Sequence, residues 1–378
     1  MKNHNSYYSS DSLRPEKTTV QGYLDEIPIW PDGTKPKYTP MTSTQWYIWA
    51  VSLFGKLFEG MLIFIMGITL PLISYEFKFS VSQTSLLGAS IIAGLIVGAI
   101  FLAGFADKYG RKKIFIIEMI ILSICLIGLS FGSSYLSLLF FNFSVGIPLG
   151  SDYPIANIIT SESVPTRNRG KLVLSMFSFQ AVGAFLGISL GVIILILYPH
   201  ADAWRIMYIT IIIPSIVITI MRFFVPESPH WLVIKNRKAE AEKSLKKILK
   251  RKLHYPLSTT LELQTVVNPN DSRYRKLFSK KYIKRVILTG GTWFIQDIAT
   301  YGIGIFVPVI LATILGKTAV LNTNHHDIHH IIEKLIYSAK GTIFLDIFLI
   351  LGMVFAVFYS DKIGRMKLQI VGFIGSGV

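Results

Sequence analysis

A single cysteine, Cys125, stands among 378 residues, which excludes a disulfide framework. Charge is scarce as well: Asp, Glu, Lys and Arg together make up 16% of the chain, well below the roughly one quarter usual in soluble domains. No apolar signal segment follows the N-terminus, where the first 45 residues instead carry five basic and five acidic side chains. Nucleophile motifs, phosphate-cradling glycine loops and dinucleotide fingerprints are also missing, which disfavours an enzyme or an ATP-driven pump. The glycine-bearing stretches near Gly132 and over Gly94–Gly104 fit a span boundary or small-residue helix contacts instead. No cofactor and no metal site is expected.

What the chain has is apolar length. Half of it is hydrophobic (51%) and the mean hydropathy is +0.51, the composition of an all-α polytopic membrane protein. The apolar residues arrive in blocks long enough for helices to cross about 30 Å of hydrocarbon. We read spans at roughly 46–74, 83–105, 112–133, 136–159, 172–198, 205–225, 284–315 and 341–360, with a ninth beginning near 368. This divides the chain into a soluble tail (1–45), a six-helix bundle (46–225), a basic central loop (226–283) and an incomplete second bundle (284–378).

Charge asymmetry orients these spans. Alternate loops hold 26 Lys and Arg on one side, 16 of them in 226–285, against 5 on the other. The positive-inside rule places the richer side and the N-terminus in the cytoplasm. The net charge of +16 is therefore topology, and a nucleic-acid partner is not expected. Within the central loop, 238–252 has helical periodicity with Leu245, Ile248 and Leu249 on one side, the pattern of a helix lying on the membrane face.

An internal repeat is legible. DKYGRKK (Asp107–Lys113) follows the second span and DKIGRMK (Asp361–Lys367) the eighth. Each joins a carboxylate at a helix end, a turn glycine and a cationic cluster. Asp107 and Asp361 can pair with Arg111 and Arg365 or with the positive end of a neighbouring helix, so each loop forms a candidate latch around Gly110 or Gly364. Acids also occur inside the spans. Asp297 is flanked by Trp293 and Tyr301, each four residues away, so all three share one helix face. An ionised residue at the bilayer centre costs at least about 3 kcal/mol, so it tends to face a wet cavity and serve function.

The repeat loop resembles the signature of the major facilitator superfamily, and the likeness covers about residues 46–378. The small residue usual four positions before the aspartate is Ala103 here, with Gly104 one place later. PESPHWL (Pro226–Leu232) is similar to the sugar-porter motif at the end of the sixth helix, and ESVPTRNRG (Glu162–Gly170) to the one after the fourth. GSDYP in the fourth span and WFIQDIATY in the seventh resemble proton-coupled phosphate symporters. The resemblance implies a major facilitator fold with a substrate site of Asp152, Tyr153, Gln180, Trp293, Asp297 and Tyr301, and proton coupling through Glu59, Asp152 and Asp297. A carboxylate in such a cavity is neutral or ionised according to its surroundings, which lets it carry a proton.

The chain departs from the phosphate pattern in three places. Asn142 stands where relatives carry an arginine ten residues before the fourth-span aspartate, Glu59 replaces an aspartate, and a lysine of the eleventh helix falls beyond the chain. Lys56 is a candidate replacement cation, with a snorkelling helix-edge lysine as the alternative. Glu118 is expected to pair with a cation, and Asp346 is a further proton-relay candidate. His325, His326, His329 and His330 have spacing that a metal or a pH sensor could use, though a solvated outer loop is the plainer reading. The overall expectation is a monomeric secondary transporter in the cell membrane, working on a small-molecule or ion substrate and protons within the lipid bilayer. A sugar or organic-ion porter, a proton-driven exporter and a non-transporting truncated remnant are the alternatives.

Overall fold

The apolar blocks fold as helices, and one that is apolar all round takes the centre. The computed structural model describes residues 19–28, 33–250, 261, 278–304, 306–314 and 328–377. Helix α1 (Val20–Leu24) precedes the 35-residue α2 (Ser43–Phe77). Thr42 opens α2 with a capping box: its hydroxyl accepts from the Gln45 N–H, and Gln45 Oε1 accepts from the Thr42 N–H at 2.8 Å. The first span thus starts before the expected residue 46. Next come α3 (Val81–Val97), a π-helical segment (Gly98–Leu102) and α4 (Ala103–Tyr109), continuous as one 29-residue helix. Helices α5 (Arg111–Ser130), α6 (Tyr135–Ser161), α7 (Thr166–Leu197) and α8 (Ala203–Phe223) complete the first half.

Among the described residues, six helices are long and apolar enough to cross a membrane, five in this half and Ile328–Ser360 in the second. Helix α6 is long enough at 27 residues but more polar, carrying Asn142, Ser151 and Asp152. It also contains Pro148 and Pro154. Each proline removes a helix hydrogen bond, so the backbone around Asp152 and Tyr153 is less tightly tied than a regular helix.

The second half begins beneath the bundle. Helices α9 (Pro229–Ile234) and α10 (Lys238–Leu249) lead to α11 (Ile283–Asp297), a π-helical segment (Ile298–Ile303), α12 (Val307–Ile314), α13 (Ile328–Ile363) and α14 (Arg365–Gly377). The expected helix in the central loop is present. Its apolar face packs differently, however: Leu245, Ile248 and Leu249 are buried against Ile48, Leu24 and Trp231 of the protein's own underside rather than against lipid. Helix α13 starts at Ile328, earlier than the expected 341, so His329 and His330 lie in its first turn rather than in a loop. His325 and His326 lie outside the described residues.

The N-terminal tail is also more than a soluble extension. Val20 and Leu24 are buried, and Asp25 accepts from the Thr166 N–H at 2.7 Å, capping the start of α7. Arg169 donates to Gln21 at 2.7 Å. The repeat is visible in the backbone: Gly110 (φ 115°) and Gly364 (φ 94°) both take positive φ between the end of one helix and the start of the next.

Two close backbone approaches set the interior. A Cβ on Gly94 would stand 2.1 Å from the Phe143 carbonyl oxygen, which seats α3 directly on α6. A Cβ on Gly60 would stand 2.1 Å from the Gln180 carbonyl oxygen, and one on Gly183 2.1 Å from that of Leu57. Helices α2 and α7 therefore touch backbone to backbone beside Glu59 and Gln180, as small residues at membrane helix interfaces allow.

Candidate substrate site

Where α2, α6, α7 and the seventh span meet, polar side chains converge. Lys56, only 5% exposed, donates to Glu59 Oε2 at 2.5 Å. Glu59 Oε1 accepts from the Tyr301 hydroxyl in a very short hydrogen bond and from Gln180 Nε2 at 3.3 Å. Gln180 Nε2 also lies 3.1 Å from the Tyr301 hydroxyl. The Lys56 ammonium sits over the rings of Tyr153 (4.1 Å to the centroid) and Phe177 (5.1 Å), a cation–π arrangement that holds the charge without neutralising it. Tyr153 stacks on Trp293 at 5.7 Å, and Phe177 meets Trp293 edge-on at 5.3 Å.

Asp297 lies beside Trp293 and within electrostatic reach of Lys56 and Glu59. It ends α11, and the next turn is the π-helical segment that carries Tyr301. The extra residue in that turn shifts the register after Asp297, so Trp293, Asp297 and Tyr301 do not follow the uniform spacing expected from the sequence. Insertions of this type recur at functional sites. The site can therefore offer one cation, two carboxylates, neutral donors from tyrosine and glutamine, and an aromatic wall. Of the residues singled out in the sequence, Glu59, Tyr153, Gln180, Trp293, Asp297 and Tyr301 come together here, and Lys56 joins them.

Asp152 does not. Its carboxylate belongs to a second cluster, where Arg222 Nη2 donates to Oδ1 in a very short hydrogen bond. Arg222 Nη1 donates to Glu118 Oε1 at 2.8 Å and to the Phe115 carbonyl at 2.6 Å. Ser151 donates to Glu118 Oε2 at 2.9 Å. Both Arg222 and Glu118 are 0% exposed. The physical reason is direct: a guanidinium buried without a carboxylate would be strongly destabilising. Adjacent residues on a helix point about 100° apart, so Tyr153 still reaches Lys56 and Trp293. The other Asp152 oxygen has no hydrogen-bond partner and packs where a Cβ on Gly55 would be, 1.3 Å away. Arg222 was missed in the sequence, although a lone arginine near the end of an apolar span is itself a signal to seek acids inside the bundle.

The position expected to hold an arginine is an interhelix tie. Asn142 Nδ2 donates to the Leu87 carbonyl at 2.8 Å and to Ser90 at 2.9 Å. Asp346 is buried on α13 with one oxygen lacking a hydrogen-bond partner. No group of three or more His, Cys, Asp or Glu capable of holding a metal occurs among the described residues.

At the end of the bundle that carries the basic loops, Asp107 pairs with Arg111 of its own loop at 3.2 Å and remains largely exposed. Arg111 makes the interhelix link, to Glu162 at 2.8 Å. Glu227 accepts from the Lys112 N–H at 3.0 Å, close to Gly110, and Trp231 donates to the Asp107 carbonyl at 3.0 Å. These contacts join the loop to the ends of α6 and α8 through Glu162 and Glu227. His230 lies alongside, its Nε2 without a partner. Burial, with the Arg169 and Arg111 charges beside it, pushes the His230 imidazole down to about 4. Gly364 repeats the positive-φ turn in the second copy, while the side chains of Asp361 and Arg365 lie outside the described set.

With this geometry in view, the family described as sugar (and other) transporters matches residues 48–378. A putative metabolite transport protein, YaaU of Escherichia coli, is 29% identical over 322 residues, covering 84% of this chain and 66% of its own length. Probable inorganic phosphate transporter 1-6 of Arabidopsis thaliana is 28% identical, covering 90% of this chain and 72% of its own length. The chain spans 58% of the length of another Arabidopsis relative, probable inorganic phosphate transporter 1-3. The xylose transporter XylE of E. coli, in a partially occluded inward-open conformation, shares the fold at TM-score 0.67 and 20% identity, covering 88% of this chain and 74% of its own.

Proposed function

The chain belongs to the sugar (and other) transporter family of the major facilitator superfamily, and from that premise we propose that it serves a proton-coupled symporter for a small polar or anionic solute such as inorganic phosphate. The observation that carries this reading is the convergence of Lys56, Glu59 and Asp297 with Tyr153, Gln180, Trp293 and Tyr301 at the meeting of the first and seventh spans. Secondary transporters place solute and coupling ion between their two halves, near the bilayer midplane, and rock one half against the other. Asp297 and Glu59 serve as the proton carriers, and Gln180, Tyr153, Trp293 and Tyr301 as neutral contacts for the solute. The loops around Asp107, Gly110 and Arg111 and around Asp361, Gly364 and Arg365 stabilise one conformation and release in the other. In this reading the protein acts as a monomer in the cell membrane, with its N-terminus on the cytoplasmic side in keeping with the positive-inside rule.

The printed names of the Arabidopsis relatives make phosphate the first solute to test. A sugar or organic-ion porter is the second reading, supported by Asn142 in place of an arginine and by the aromatic wall of Tyr153, Phe177 and Trp293. Uptake by proteoliposomes under an inward proton gradient separates them. Phosphate accumulation above equilibrium, collapsed by a protonophore, supports the first reading. Accumulation of hexose without phosphate supports the second, and downhill flux alone of either solute contradicts proton coupling.

A further inference from the structure

Lys56 sits deep in the bundle. A snorkelling lysine keeps its ammonium in water, whereas this one is 5% exposed, lies over two aromatic rings, and meets one carboxylate. An ammonium has three N–H donors, and among the described contacts Lys56 gives one, to Glu59. Glu59 is by contrast fully engaged, with its other oxygen accepting from Tyr301 and Gln180. Building on the transporter reading above, we propose that Lys56 is the receptor for an anionic group of the solute, and that a proton arriving on Glu59 is what frees it.

Charge balance makes the coupling strict. The Lys56–Glu59 pair is neutral when empty. An anion entering beside ionised Glu59 would leave a net negative charge in low dielectric, which is costly. When Glu59 takes a proton, the pair carries one positive charge and the anion restores neutrality. The empty and the fully loaded pairs are both neutral and leave the charge of neighbouring Asp297 unchanged, so these are the forms fit to reorient. One proton therefore accompanies each negative charge on the solute. The recognised chemistry is a small oxyanion, phosphate monoanion or carboxylate, resting against the Tyr153–Trp293 stack.

The groups that face Glu59 are few. Lys56 shares its helix, Tyr153 comes from α6, Gln180 from α7, and Asp297 and Tyr301 from the seventh span. From α13, Asp346 forms no ion pair with Lys56 or Glu59. Arg222 of α8 is committed to Asp152 and Glu118, behind Gly55. Helix α10 meets α2 at Thr42, more than about four turns from Glu59. Among these carboxyls Asp297 passes the proton on during transport, whereas Glu59 is where it rests while the solute is bound, and the test must separate the two.

Isothermal titration of the purified 378-residue chain in lipid nanodiscs with inorganic phosphate does so. The pH is kept where phosphate stays a monoanion, and two buffers of different ionisation heat report protons taken up. The parent should take up about one proton per phosphate bound, with affinity falling as pH rises. Glu59→Gln should bind phosphate with no proton uptake and little pH dependence. Lys56→Gln alone would strand the Glu59 charge and risks misfolding, so the decisive comparison is Glu59→Gln with the doubly neutral Lys56→Gln/Glu59→Gln. These differ only at the lysine, and the double variant should bind at least about tenfold more weakly, a loss of about 1.4 kcal/mol. Equal phosphate affinity in the two overturns the role of Lys56. Proton uptake persisting in Glu59→Gln overturns the role of Glu59 and assigns the proton to Asp297. A parent that binds hexose but not phosphate overturns the proposal and leaves the transporter reading standing. Failure of proton-driven uptake with this binding pattern intact would instead remove the transporter reading.

Discussion

Two charged clusters sit back to back along α2 and α6; both pair a buried cation with carboxylates, and they differ in the cation and in what surrounds it. In the first, Lys56 and Glu59 are bordered by tyrosines, a glutamine and Trp293, which is 43% exposed. In the second, Arg222 holds Asp152 and Glu118 with no side-chain exposure above 3%. The open cluster has aromatic walls, neutral hydrogen-bond donors and a lysine, whose compact ammonium can change partner. The closed one has an arginine, whose planar fork fixes two carboxylates at once. Intramembrane charge alone therefore does not mark a binding site. The neighbours decide whether a charge is available to a solute or consumed by the fold.

Breaking the closed cluster should have the largest effect. Arg222→Gln leaves two buried carboxylates without their cation and should cost about 3–5 kcal/mol, read as loss of monodisperse protein in size-exclusion chromatography and a lower denaturation midpoint. The triple neutral variant Glu118→Gln/Asp152→Asn/Arg222→Met should recover much of that loss, because it removes the charges together. Recovery of accumulation as well would strengthen the separation of the two clusters. A triple variant that stays folded but accumulates nothing would mean that Asp152 or Glu118 takes part in coupling.

Much of the open cluster was legible because its residues lie in short motifs. Tyr153 sits in GSDYP, and Trp293, Asp297 and Tyr301 sit in one nine-residue stretch. Its geometry was less legible. The π-helical turn after Asp297 leaves no pattern in residue types, and the Lys56–Glu59 pair became meaningful only with Tyr301 and Gln180 against it. Asp152 was assigned through the GSDYP resemblance alone, and a motif names residue types and not the partner that the fold brings to them. That partner, Arg222, lies 70 residues later on another helix. Glu118 did find a cation, the same Arg222. The docking of the N-terminal segment through Asp25 and Gln21 is likewise long-range, reaching residues 141 and 148 positions away, and nothing local announces it. Six of the expected spans correspond to described helices long and apolar enough to cross a membrane, because bilayer thickness imposes length and apolarity on each separately.

A smaller effect sharpens the contrast from the Asp107–Arg111 loop and its neighbours, outside both clusters. His230 is neutral in the folded protein, with its imidazole held down to about 4, whereas in the unfolded chain it binds a proton near pH 6.5. Its contribution to stability is complete above about pH 6.5 and is lost as pH falls towards 4, because the unfolded state then binds the extra proton. His230→Gln should flatten the pH dependence of the denaturation midpoint across that window, by at most about 1.4 kcal/mol per pH unit. A slope unchanged from the parent would mean that the histidine is already free to ionise in the fold.

The most direct test of the open cluster is uphill accumulation by Asp297→Asn in proteoliposomes under an imposed proton gradient, beside the parent protein. An amide keeps the shape of the carboxylate but cannot carry its proton. The variant should insert normally, keep solute exchange at equal concentrations on both sides, lose its response to external pH, and accumulate nothing. Accumulation equal to that of the parent would show that the Asp297 carboxylate is structural and would contradict its assignment as a proton carrier of this cluster.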